Sequence, residues 1–97
     1  MNRQLVTIVT EAALERRLIE EVKRLGAKGY TIVKASGEGA RGVREAAWEH
    51  SKNIRMETIC RPEVADAIME HLSSKYYEHY AMVAWTTDVE VLRPDKF

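Results

Sequence analysis

The chain has 97 residues, which is enough for one hydrophobic core and leaves no expectation of a second domain beyond 1–97. Fifteen Lys and Arg balance fifteen Asp and Glu, so no bulk field draws the chain onto nucleic acid or an anionic membrane, and any anion site must be local. The lone Cys60 excludes an internal disulfide and a thiol knuckle for metal, suits a reducing compartment, and reads as a small buried hydrophobe. No charged lead followed by an apolar run opens the chain, and no stretch approaches the roughly 18 apolar residues of a membrane span. A soluble, unexported, cytoplasmic protein without direct membrane insertion is expected.

In chain order, "QLVTIVT" at 4–10 is a β-branched run of strand length. "EAALERRLIEEVKRLG" follows with Leu14, Leu18, Val22 and Leu25 at helical spacing, Ile19 widening the stripe, and Gly26 suited to the C-terminal cap. "YTIVKA" at 30–35 reads as a second strand. "NIRMETIC" at 53–60 reads as a third, with Ile54, Met56, Thr58 and Cys60 on one face. Pro62 is placed as a first-turn proline, and Val64, Ile68, Leu72 and Tyr76 carry a second helix through "PEVADAIMEHLSSKYY". "AMVAWTTDVEVL" at 81–92 closes the pattern as a fourth strand, with a break expected near Asp88.

The order β-α-β-β-α-β predicts an α+β, ferredoxin-like fold, an antiparallel sheet with both helices on one face. Val and Ile fall at both alternating positions in strands one, two and four, so the face without helices is expected to be covered by oligomerisation.

Between strands two and three lies a connection of about 37–53, far beyond the two to five residues that a hairpin needs. It contains a literal G-x-G-x-x-G at 37–42. That fingerprint marks a dinucleotide site only after the first strand of a parallel βαβ unit, and here it follows strand two of a chain too short for a doubly wound sheet. What survives is local chemistry. Gly37 and Gly39 let backbone N–H groups approach an anion, and Arg41 and Arg44 supply planar forks that match phosphate or carboxylate oxygens.

Farther along the same segment, Trp48 and His50 are candidates for anchoring a partner, since a large aromatic is costly to leave wet. His71 and His79 lack a carboxylate-histidine cluster at helical spacing and read as surface histidines, so no metal site is expected. The tyrosines at 76, 77 and 80 read as packing at a helix end. RNA recognition modules share this element order but carry aromatics on strand three, and "NIRMETIC" has none, so no nucleic-acid partner is expected.

"GYTIVKASGEG" at 29–39, with Gly29, Thr31, Gly37 and Gly39, follows the pattern of PII signalling proteins. "IRMETIC" resembles the PII strand after the recognition loop, or T-loop. "GEGARGVR" and "KYYEHYAMVAW" resemble the PII-like subgroup linked to bicarbonate transporters and carboxysomes. The resemblance covers most of the chain. It implies a homotrimer with adenine-nucleotide sites in the clefts between subunits and a T-loop whose shape reports the ligand. Carried over residue by residue, Thr31 would border the adenosine and Ile59 would pack near the base. Gly37, Gly39, Arg41 and Arg44 would meet phosphates, and Tyr80 and Ala81 would come from the facing loop.

AMP, ADP and ATP are the implied ligands, cyclic AMP is a further candidate, and bicarbonate is the second signal, assigned first to Arg44 and then to Arg41. The implied partner is a bicarbonate transporter or carboxysome-associated protein in carbon concentration. The glycine-lysine phosphate loop before the last strand, the modified tyrosine segment and a C-terminal cysteine pair are all absent here, which argues against 2-oxoglutarate sensing and redox control of that type. Arg93 is a candidate for a phosphate contact from the neighbouring subunit, or a surface residue. No general base stands beside the arginines, so a regulatory binding protein is expected. The alternatives are a slow nucleotide hydrolase and a metal-tolerance trimer of the same fold.

Overall fold

The computed structural model describes residues 2–36 and 52–97. Four strands, β1 (Asn2–Glu11), β2 (Thr31–Ala35), β3 (Asn53–Cys60) and β4 (Val83–Glu90), form one antiparallel sheet in the order β2-β3-β1-β4. Helices α1 (Glu15–Arg24) and α2 (Pro62–Lys75) complete the β-α-β-β-α-β order, and the ferredoxin-like expectation holds.

Strand β1 is the centre of the sheet, and its alternation decides what packs where. Val6 and Ile8 point to the helices and are fully buried, joined from β3 by Met56, which pairs with Ile8, and by Cys60. Leu14, Leu18 and Val22 from the first helical segment and Ala65, Ile68 and Leu72 from α2 close this core. Thr58 shares the face and satisfies its hydroxyl by donating to the Gly29 carbonyl at 2.6 Å. Burial pushes the Cys60 thiol up to about 11, with Glu63 adding to the effect, so it is a protonated core group.

Several boundaries differ from the sequence reading. Strand β1 extends two residues earlier, because pairing with β4 continues to Asn2 opposite Glu90. Helix α1 begins at Glu15 after a 3-10 turn over Ala12–Leu14. Strand β4 is unbroken at Asp88, which pairs with Gln4, and it ends at Glu90, leaving Leu92 fully exposed. Gly26 ends α1 at φ +123°, where a side chain is strained, and a Cβ there would meet Val64 Cγ2 at 2.9 Å. That close approach seats α1 against the first turn of α2.

The opposite face of the sheet carries no helix. Val33, Val83 and Trp85 are exposed there by 51%, 53% and 38%, so apolar side chains lie on both faces as the alternation predicted.

Candidate functional site

The ladder fixes where the predicted ligand residues stand. Thr31, Glu57, Thr7 and Trp85 form one row across the four strands on the open face, and Val33, Arg55, Val9 and Val83 form the next. Thr31 is exposed at the start of the β2 edge. Ile59, half-buried, follows Glu57 by two residues on the same face, so these two predicted residues are neighbours.

Tyr80 and Ala81 lie elsewhere. They precede β4, on the opposite edge of the sheet, and both are half-buried. Thr10 Oγ1 donates to the Ala81 carbonyl at 3.2 Å, which ties this segment to the C-terminal end of β1. The roots of the long connection emerge at that same end of the sheet. Ala35 pairs with Asn53 and Asn53 with Glu11, while the Ala12 N–H donates to the Lys52 carbonyl at 2.8 Å. Three inter-strand steps, about 14 Å, separate the two edges. Within one copy, therefore, Thr31 with Ile59 and Tyr80 with Ala81 stand toward opposite edges of the sheet and are not brought together. Gly37, Gly39, Arg41, Arg44, Trp48 and His50 lie outside the described residues.

Two side-chain groups escaped the sequence reading. On the open face, Arg55 holds Glu57 Oε2 through Nε at 3.2 Å and through its terminal nitrogen at 3.1 Å, and its guanidinium lies 5.6 Å from the Trp85 ring centroid. Arg55 on β3 and Trp85 on β4 thus meet across the intervening β1, whose Thr7 is fully buried on this face. The signal was an arginine and a glutamate two apart in a strand, which the alternation must put on one face.

The second group joins the helices. Glu21 is 7% exposed on α1. Tyr76 donates its hydroxyl to Glu21 Oε1 at 2.6 Å, His71 Nε2 lies 3.0 Å from the same oxygen, and Lys75 Nζ pairs with Oε2. Burial alone would push this carboxyl up, but Lys75, Tyr76 and His71 outweigh it and hold the carboxyl below its ordinary value. Burial, then Glu21, drives the Tyr76 phenol well above its usual range. His71 is thus half-buried against the Glu21 carboxylate, which corrects its reading as a surface histidine. The sequence did carry a signal: Glu21 sits at stripe spacing between Leu18 and Leu25, where a carboxylate requires cations on the facing helix.

Among the described residues, no three His, Cys, Asp or Glu side chains converge as metal ligands, and no helix is long and apolar enough to cross a membrane.

Three solved structures resemble this chain closely. A Thermus thermophilus protein named for its likeness to PII signalling proteins is 54% identical, with a TM-score of 0.85, over 100% of this chain and 96% of that one. CPII from Thiomonas intermedia K12, in a structure with ADP and bicarbonate, is 26% identical with a TM-score of 0.86 over 100% of this chain and 95% of its own. The same protein with ADP, AMP and acetate is 27% identical with a TM-score of 0.86, over 99% and 94%. The model of the nitrogen regulatory protein P-II family matches residues 3–96, and the chain belongs to that family.

Proposed function

We propose that this PII-like signalling protein is a homotrimer that binds adenine nucleotides between subunits, responds to bicarbonate, and regulates inorganic-carbon transport or carboxysome function through its T-loop. The observation that carries the reading is the full-length likeness to CPII, whose structures hold ADP with bicarbonate and ADP with AMP. Trimers are typical of PII proteins. The division of Thr31 and Ile59 from Tyr80 and Ala81 supports the same reading, because two half-sites on opposite edges can meet around one ligand only when two copies stand side by side.

In this assignment Thr31 borders the adenosine, Ile59 packs near the base, and Tyr80 and Ala81 reach in from the neighbouring copy. Gly37 and Gly39 offer backbone N–H groups to the phosphates, and Arg41 and Arg44 clamp them as bidentate forks. Bicarbonate, a small planar anion, fits the Arg44 fork first and that of Arg41 second. Trp48 and His50 are the partner-binding residues, and the partner is a bicarbonate transporter or a carboxysome-associated protein met in the cytoplasm. The protein acts by binding, without catalysis of its own and without a metal cofactor.

Calorimetric titration with AMP, ADP, ATP and cyclic AMP, each with and without bicarbonate, tests the reading. ADP should bind, and bicarbonate should change its affinity. Arg44→Ala should weaken nucleotide binding by about 1.5–3 kcal/mol, the range of a charge-assisted hydrogen bond, with Arg41→Ala acting similarly. Adenosine binding as tightly as ADP, with neither arginine variant altered, would show that the phosphate assignment is wrong.

A further inference from the structure

We infer that Glu21 is a positioning residue for the Tyr80–Ala81 half-site, acting from α1 through the Tyr76 hydroxyl; this inference rests on the nucleotide reading above. The geometry is a chain of contacts with Tyr76 at its centre. Tyr76 is fully buried just past the end of α2, and its hydroxyl is fixed by Glu21. Its ring meets the Tyr80 ring edge-on, with centroids 5.5 Å apart at 62°. Its carbonyl accepts the N–H groups of both His79 and Tyr80 at 3.0 Å. The exposed Arg17, one turn before Glu21 on α1, faces the Tyr80 and Tyr76 hydroxyls, which raise its pKa.

Other holds on the segment from 77 to 82 lie at its ends: the Tyr77 N–H donates to the Leu72 carbonyl at 3.3 Å, the Ala84 N–H donates to the Tyr77 hydroxyl at 2.9 Å, Thr10 donates to the Ala81 carbonyl, and Met82 is buried in the core. Tyr76 acts on His79 and Tyr80 themselves, through its carbonyl and its ring. A tyrosine whose hydroxyl is fixed at one end, while its ring and carbonyl hold the turn at the other, sets where Tyr80 and Ala81 are presented. Lys75 balances the charge of Glu21, and His71 Nε2 lies 3.0 Å from its Oε1, so the carboxylate can stay ionised while nearly excluded from water. The ionised form is the stronger acceptor for the Tyr76 hydroxyl.

The test compares the full-length protein with Glu21→Gln, which keeps the shape and removes the charge, and with Tyr76→Phe, which keeps the ring and removes the hydroxyl. Ile68→Val, a core change on α2 that removes none of these hydrogen bonds, controls for general destabilisation. Two readouts are taken: backbone hydrogen exchange at residues 79–81, and ADP affinity by calorimetry. Glu21→Gln should accelerate exchange at 79–81 and weaken ADP by about fivefold or more, within the usual span of coupling between sites. Tyr76→Phe should act in the same direction, and it carries the test if Glu21→Gln does not fold. Ile68→Val should leave ADP affinity unchanged. Unaltered exchange in both variants overturns the positioning role, and so does faster exchange with unaltered ADP affinity. Wild-type protein that binds no adenine nucleotide removes the nucleotide reading itself and this inference with it.

Discussion

Glu21 occupies a place in the α1 stripe where spacing alone would put leucine, and the energetics of that exchange are testable. A carboxyl held below its ordinary 4.5 in the folded protein contributes stability that is fully present above that value. The contribution is lost as pH falls through the lower, folded value. Urea unfolding followed from neutral pH to below 4 should therefore show wild type losing its advantage over Glu21→Gln on the acid side. A constant difference between the two across that range would mean that the carboxylate is not selectively held ionised. The same residue shows what sequence could and could not disclose. Its stripe position was readable, but which of the many lysines, histidines and tyrosines answers it depends on where α2 crosses α1, and that is set by the close approach of Gly26 and Val64. His71 was misread for the same reason, because its partner is 50 positions away in sequence.

At the level of elements, the strands and helices were legible because their periodicities are strong. The "NIRMETIC" strand was bounded correctly, and Ile54, Met56, Thr58 and Cys60 are all buried on one face. The ends of the other strands were less legible, since pairing partners decide them: β1 runs on to Asn2 because β4 offers Glu90, and Leu92, two residues past the end of β4, is left exposed. The candidate site was legible only in halves. Thr31 with Ile59, and Tyr80 with Ala81, are now placed on opposite edges, whereas Gly37, Gly39, Arg41, Arg44, Trp48 and His50 lie outside the described residues. If the T-loop is the signalling element, ligand must favour one of its arrangements by differential affinity, and a bias of about 1.4 kcal/mol shifts the population ratio tenfold. With Trp85→Phe leaving Trp48 as the reporter, its fluorescence and backbone exchange over 40–52 should respond when nucleotide and bicarbonate are added together. Nucleotide binding with no response of either observable, under any combination, would leave the loop without a switching role.

For the whole molecule, the open sheet face is the dominant feature. It exposes Val33, Val83 and Trp85 beside an Arg55–Glu57 pair, an apolar surface with a polar centre of the kind that copies of one chain can share. In the function we propose, trimer formation covers this face and brings the β2 edge of one copy to the Tyr80–Ala81 edge of the next, so assembly and ligand binding become one question. Native mass spectrometry of the protein with ADP and bicarbonate addresses both in a single spectrum. The account predicts a trimer that carries up to one ADP per subunit, with loading altered by bicarbonate. A monomer, or a trimer that takes up no ADP at saturating concentration, would contradict it.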